Sequence, residues 1–566
     1  MPLDSAPLGA NGGWGETSSY SWSTVLETLP GDSVEELTAD ILVAGGGVAG
    51  LRAALAAAES GCSVLLVHRG DAASPFLNAL NVAFSKGPAW DRPPALFADM
   101  MLAGGFINEM GLVALCAQRS EAEFRYLERL GVPFVRTAGE PARRQAAGSS
   151  APHAVYAQER VGVAMLAAMR GQIAARGARI RTLAQASLLR LVTEEGRVAG
   201  GLIWDEEGRR WIGVRAKAVV LATGGAHNLY GFTTQPPTNL GEGYSMALEA
   251  GAELVDMEFV SYEPFVTASP AYRGRSVSTT LLKGNAILRN RHMETFVDAG
   301  GAAPKDMISR AMFREIVEGR GLPEGAVYYD LRGVPEKVLS GYPVVLRTLK
   351  ALGLEPGTAL IPVAPAFHYL CGGIRIDGEC RSSLPGLFAA GEAAGGVHGA
   401  HRIAGGSGTD VVVTGAKAGE SAAAYASGLR SAPTVREAVP EEAGLDALRS
   451  VGGEEAKILT AVRTAMDAGA GIERSARSLE ETLDVIGEAR RKLPRQGQPA
   501  RAILLSQAIA AAALARRESR GDHYRTDFPD RDDMKCLGNQ VITWDMARDD
   551  IKIDFLRVGL VHRQRS

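Results

Sequence analysis

The residues whose spacing most directly suggests chemistry are the glycines of Gly45-Gly46-Gly47-Val48-Ala49-Gly50, which fit the pattern GxGxxG. The motif follows an apolar stretch, 40–44 (DILVA), that reads as a buried parallel strand, and it opens an Ala-rich stretch, 48–60, that reads as a helix. In that setting Gly45 makes the tight turn, Gly47 lets the backbone approach a pyrophosphate, and Gly50 permits close helix–strand packing. The helix N-terminus adds N–H donors and the positive end of its dipole. A second apolar stretch, 63–67 (SVLLV), completes a βαβ opening. His68 follows it, where an acidic ribose ligand is usual. The motif announces a dinucleotide, and by itself leaves FAD and NAD open.

The elements around this unit follow from periodicity. Helical spacing runs through 93–131 and 163–176. Strands are expected at 187–193, 198–204 and 210–214, broken by Glu195-Gly196 and Glu207-Gly208 turns. A separate apolar strand, 217–222 (KAVVLA), ends at Thr223-Gly224-Gly225. The segment 255–365 has no βαβ rhythm and reads as an inserted second domain. Strand-like sequence resumes at 372–376 and 386–390, a helix begins near 407, and 456–517 is helical. Apolar alternation returns around 540–560.

Bulk properties exclude several classes. The 566 residues carry 61 basic and 64 acidic side chains, a net charge of −3, which makes no electrostatic case for nucleic acid or an anionic membrane. The five cysteines form no CxxC, so neither a disulfide framework nor a Cys-ligated iron–sulfur cluster is expected on this chain, nor any metal site. A reducing cytoplasm is the simple expectation. Residues 1–36 lack a basic n-region and an apolar h-region and do not read as a secretory signal. No apolar run reaches 18 residues, so no membrane-spanning segment is expected.

Three further segments carry a resemblance. Ala222-Thr223-Gly224-Gly225-Ala226 is followed by Gly241-Glu242-Gly243. His368-Tyr369-Leu370-Cys371-Gly372-Gly373 precedes Leu387-Phe388-Ala389-Ala390-Gly391-Glu392-Ala393. His398-Gly399-Ala400-His401-Arg402 leads into Gly405-Gly406-Ser407. Together with Arg517-Glu518-Ser519-Arg520-Gly521-Asp522-His523, these resemble the flavoprotein family of succinate dehydrogenase, fumarate reductase and L-aspartate oxidase, in the family's order over about 40–530. The resemblance implies an α/β protein. A Rossmann-like FAD-binding domain in two pieces (37–254 and 366–430) would flank an α+β capping domain (255–365). An extension (1–36), a helical domain (431–530) and a C-terminal tail (531–566) would complete the chain. The implied flavin contacts are Gly45, Gly47, Gly50, Ala222, Thr223, Gly224, Glu242, Glu392 and Ser407. Family members in membrane complexes tether FAD to a His. The corresponding stretch here, Ser74-Pro75-Phe76-Leu77-Asn78-Ala79-Leu80-Asn81, has none, so noncovalent FAD is expected.

The family reaction moves a hydride between flavin N5 and a carbon beside a carboxylate-activated carbon, with a proton moving on the opposite face. That chemistry needs cationic or donor groups on the carboxylate and a proton carrier within reach. By the resemblance, His368 and Arg402 bind the carboxylate. Two positions depart from the family. Glu263 stands for a His that helps hold a second carboxylate, and Lys305 for the Arg that donates the proton. Two carboxylates 4 Å apart repel by about 4 kcal/mol at an effective dielectric of 20, so a substrate other than plain fumarate or succinate is expected. Two roles stay open for Glu263 and Lys305: catalysis, or a structural ion pair with each other. Two further readings stay open for the whole: amine oxidation resembling L-aspartate oxidase, with Glu263 on an ammonium, or an electron-transfer subunit with a degenerate substrate site. The implied partners are a small carboxylate and a separate iron–sulfur subunit.

Overall fold

The computed structural model describes residues 35–70, 73–157, 160–235, 239–297, 304–429, 453–493, 497–545 and 548–558. They form an α/β nucleotide-binding fold followed by a helical C-terminal region. The contacts divide the chain into two units: residues 232–234 with 262–367, and the rest of the described chain from 35 onward.

The larger unit is organised by a seven-stranded sheet. Its parallel part runs Ile180–Ala184, Val64–His68, Glu35–Ala44 and Arg210–Leu221. Arg197–Asp205 and Ala186–Glu194 add antiparallel strands beside Arg210–Leu221. The sequence pattern divided 210–222 into strands 210–214 and 217–222, with Arg215-Ala216 between them. The structure shows one strand, in register with Glu35–Ala44 from Glu35↔Ile212 to Ala44↔Leu221. The strand runs through because buried Val214, Ala216 and Ala218 alternate with Arg215 and Lys217, which pair with Glu36 at 2.7 Å and Asp40 at 2.9 Å. Farther along, this strand takes Leu387–Ala389 as a parallel neighbour, with Val219 opposite Leu387.

The helix Val48–Glu59 is buried over most of its length because its side chains are small. Its partner is Gly406–Ser427. A Cβ on Gly415 would lie 2.6 Å from Ala49 O, and one on Gly419 2.3 Å from Ala53 O, so only glycines allow this approach. Arg52 on the same helix is buried by an ion pair with Glu123 at 2.7 Å and by the Tyr126 ring at 4.0 Å. Residues 93–131 form two helices, Pro93–Ala103 and Met110–Arg129, parted at Gly104-Gly105.

The C-terminal region packs Glu454–Gly469, Ala476–Lys492 and Gln498–Ala515 against one another. The second of these starts at a capping box, Ser475 with Ser478, and ends on Arg490, Arg491 and Lys492, which suits the negative end of its dipole. Gly538–Asp545 and Asp550–Arg557 then form a hairpin.

The smaller unit has a four-stranded sheet, ordered 262–267, 360–367, Val327–Asp330 and Ile287–Arg289. Lys305–Val317 and Pro343–Leu352 are its longer helices. Phe265, Leu281, Met312, Tyr329, Leu349 and Ile361 belong to its own buried core.

Candidate active site

The glycine turn opens onto a cavity of about 710 Å³ in the larger unit. Gly45, Gly47, Ala222, Thr223 and Glu242 line it, five of the residues expected to bind the cofactor. Gly45 adopts φ +130°, and a Cβ there would sit 2.1 Å from Ala222 O. A Cβ on Gly50 would sit 1.9 Å from Gly45 O. Both positions therefore exclude side chains, and the strand end, turn and helix start form a bare backbone cradle of the kind a diphosphate requires. Ser74 Oγ already accepts the Val48 N–H at 3.0 Å. His68 and Arg69 line the cavity where the ribose ligand of a dinucleotide is usual. Arg69 pairs with Glu242 at 2.9 Å, and Gln498 Nε2 donates to the same carboxylate at 3.2 Å.

Gly50, Gly224, Glu392 and Ser407 are not among the cavity's lining residues. Gly224 adopts φ +78° directly after the strand end. Ser407 lies in the first turn of Gly406–Ser427, after Gly405 at φ +80°. Glu392, in the turn after Leu387–Ala389, is buried and committed through one oxygen. Its Oε1 accepts the Leu370 N–H at 3.2 Å and faces His227 Nε2 at 3.2 Å. No donor among the described residues reaches Oε2. A cofactor hydroxyl would find that oxygen open, and the cradle and this carboxylate together fit FAD. His227 Nε2 also meets His368 O at 3.0 Å. The sequence reading passed over His227, although its place right after Gly224-Gly225-Ala226 could have flagged it.

Arg402 stacks on the Tyr369 ring with 4.5 Å from Cζ to centroid. Its Nη1 donates to Ile403 O at 3.2 Å, and its Nε has no partner. Among the described residues no carboxylate pairs with it. The loop carrying it is held from the C-terminal side. Asp522 faces His401 Nδ1 at 2.9 Å, and the Asp522 N–H donates to Ala400 O at 2.9 Å. Burial, with the Asp522 charge beside it, pushes the Cys371 thiol well up, so Cys371 stays protonated. His398 lies 3.3 Å from the buried Asp410.

Glu263 and Lys305 belong to the smaller unit, and they pair with each other, Lys305 Nζ donating to Glu263 Oε2 at 2.5 Å. Glu263 is 4% exposed, and its Oε1 has no hydrogen-bond partner. Lys305 opens the helix Lys305–Val317, where its charge opposes the dipole and favours such a partner.

Nothing in the sequence signalled a buried charge cluster near the Arg517–His523 motif. Arg516 pairs with Glu258 at 2.6 Å and with Glu518 at 2.9 Å. Arg520 pairs with Glu518 at 2.8 Å. Burial and the neighbouring Glu258 charge push Asp256 up to about 8. Burial, with the Arg474 and Arg516 charges, drives His523 well down, so it is neutral and accepts from Arg474 at 2.7 Å. Among the described residues there is no metal-binding group of His, Cys, Asp or Glu, and no helix long and apolar enough to cross a membrane.

A parallel sheet with a glycine cradle at its strand ends marks a dinucleotide-binding fold. Residues 40–408 match the family model described as FAD binding domain, and residues 498–564 match the one described as fumarate reductase flavoprotein C-term. The chain is 32% identical to a component of the fumarate reductase (CoM/CoB) of Methanothermobacter marburgensis, over 87% of this chain and 94% of that one. It is 36% identical to the L-aspartate oxidase of Caulobacter vibrioides, again over 87% and 94%. Among solved structures, Sdh1 of Mycobacterium smegmatis superposes with a TM-score of 0.83 at 28% identity, covering 92% of this chain and 94% of that one. The chain belongs to the fumarate reductase, succinate dehydrogenase and L-aspartate oxidase flavoprotein family, and its cofactor is FAD.

Proposed function

We propose that this chain moves a hydride between FAD and a CH–CH or C=C unit beside a carboxylate, on a substrate with one carboxylate and a neutral or cationic second group. The observation that supports this reading best is Arg402. Its guanidinium offers a planar fork that no carboxylate among the described residues occupies. Anaerobic titration of the flavin with enoates, saturated acids and amino acids tests the reading. Bleaching or a spectral shift is expected with a monocarboxylic member of the first two groups. No response to either overturns it.

Gly45, Gly47, Gly50, Ala222, Thr223, Gly224, Glu242, Glu392 and Ser407 hold the cofactor, Glu392 through its open Oε2. When bound, FAD supplies the hydride acceptor or donor. Arg402 and His368 bind and polarise the substrate carboxylate. Lys305 carries the proton, and Glu263, in contact with it, holds the substrate's second group or acts as a base. Replacing Lys305 alone would strand a buried carboxylate, so the test pairs Lys305→Met with Glu263→Gln. Turnover is expected to fall at least about a hundredfold in the double variant, the usual worth of a positioned proton carrier. Unchanged turnover rules the role out.

FAD is held without a covalent bond, because 74–81 offers no His. Acid-precipitated protein is expected to release all its yellow colour to the supernatant, and colour retained on the pellet overturns this. The electron partner is a separate iron–sulfur protein, since this chain has no cluster-binding cysteine pattern. The proposed setting is the cytoplasm.

One observation favours a second reading. Glu263 Oε1 is buried without a donor, and an ammonium group would satisfy it. Amine oxidation follows in that case. Hydrogen peroxide released with an amino acid under air would select it over the first reading.

A further inference from the structure

His227 is fully buried, and its Nε2 faces two acceptors, His368 O at 3.0 Å and Glu392 Oε1 at 3.2 Å. A carbonyl oxygen can only accept, so Nε2 carries the proton whether the ring is neutral or charged. That proton is directed at His368 O, and Glu392 Oε1, which accepts the Leu370 N–H, lies 3.2 Å from the same imidazole nitrogen. Turning the carboxylate would break the Leu370 bond and the contact with the imidazole, so Oε2 is held in one direction. A second feature fits the same purpose. A Cβ on Gly225 would lie 2.3 Å from Glu392 Oε1 and 2.5 Å from His227 Cε1, so the backbone here is cut back to admit the pair. Tyr244 fixes the other end of the residue by donating its hydroxyl to Glu392 O.

We propose that His227 is a positioning residue that presets Glu392 for the FAD hydroxyl its Oε2 receives, and that ties this carboxylate to the strand end bearing His368. The proposal rests on the reading of Glu392 as a flavin contact. Its physical content is preorganisation. A carboxylate already held in its bound rotamer loses less freedom when the cofactor arrives, and the saving appears as affinity.

Apoprotein of the full chain, reconstituted with FAD and followed by quenching of flavin fluorescence, tests it. His227→Leu is expected to weaken FAD binding about tenfold, the scale of one hydrogen bond to a charged group. His227→Gln, which keeps an N–H donor, is expected to recover most of that loss. The double variant of His227→Leu with Glu392→Gln is expected to bind no worse than Glu392→Gln alone, because the imidazole acts only through the carboxylate. If Glu392→Gln weakens binding while His227→Leu does not, or if the two losses add, the role of His227 is overturned and that of Glu392 stands. If Glu392→Gln leaves affinity unchanged, both fall. His227→Asn, whose shorter amide stops short of Glu392, replaces the leucine variant should that one fail to fold.

Discussion

Arg402→Met is expected to lower kcat/KM by about a thousandfold, with FAD content and visible spectrum unchanged. The effect is large because the guanidinium answers charge that builds on a carboxylate in the transition state, and loss of one such donor commonly costs about 10²–10³ in rate. Stability should change little. Arg402 donates only to one backbone carbonyl and stacks on Tyr369, and no carboxylate among the described residues is left uncompensated when it goes. The lost stacking is worth about 1 kcal/mol. Arg402→Lys keeps the charge but not the fork, and recovery of less than about a tenth of the activity is expected. Steady-state kinetics with the acid that bleaches the flavin checks this. A methionine variant that turns over within about tenfold of the parent removes Arg402 from the chemistry.

Asp256→Asn should remove a stabilising contribution that is lost as pH rises from about 5 to 8, so the difference in stability between parent and variant should shrink across that window. Asp256 is fully buried, and burial together with the Glu258 charge raises it from 3.8 to about 8. A group raised on folding binds its proton more tightly in the native state. Its contribution is complete below the unfolded value and drains away as pH climbs through the folded one. The limiting slope is about 1.4 kcal/mol per pH unit for one proton. Asparagine keeps the shape, tolerates the backbone here at φ +56°, and carries no charge to desolvate. It loses acceptance at one oxygen, so the bonds from Asn539 and from the Gln540 N–H must be shared on the one that remains. Thermal midpoints at about pH 5, 6, 7 and 8 for both proteins decide the matter. Parallel curves would mean that Asp256 does not titrate in this window.

Local pattern carried the parts of the fold that local physics determines. The glycine turn at 45–50 was legible because a strand, a phosphate-sized turn and a helix start leave a fixed spacing. The helices beyond 453 were legible from apolar periodicity. The single strand Arg210–Leu221 was not, because the change from alternating to continuous apolar pattern suggested a boundary at Arg215-Ala216, whereas the ladder to Glu35–Ala44 runs on through it. Partnerships in the candidate site were hidden too. Motifs named Glu392, Arg402, Glu263 and Lys305, but nothing local says that His227 reaches Glu392 or that Glu258 lies against Arg516. Such pairs join residues far apart in sequence, and composition along the chain does not encode them.

The strand Arg210–Leu221 has a further consequence, for synthesis. Its last three residues wait for Leu387–Ala389, which leaves the ribosome only after the whole of 262–367 has been made. Until then Val219–Leu221 presents an apolar stretch with unmatched amides on that side, a template for association between nascent chains. The smaller unit meanwhile has its own core and can collapse early. The nucleotide-binding sheet therefore closes late in synthesis. Chaperone cover over that interval should raise the soluble yield, and slower elongation before residue 387 should lower it.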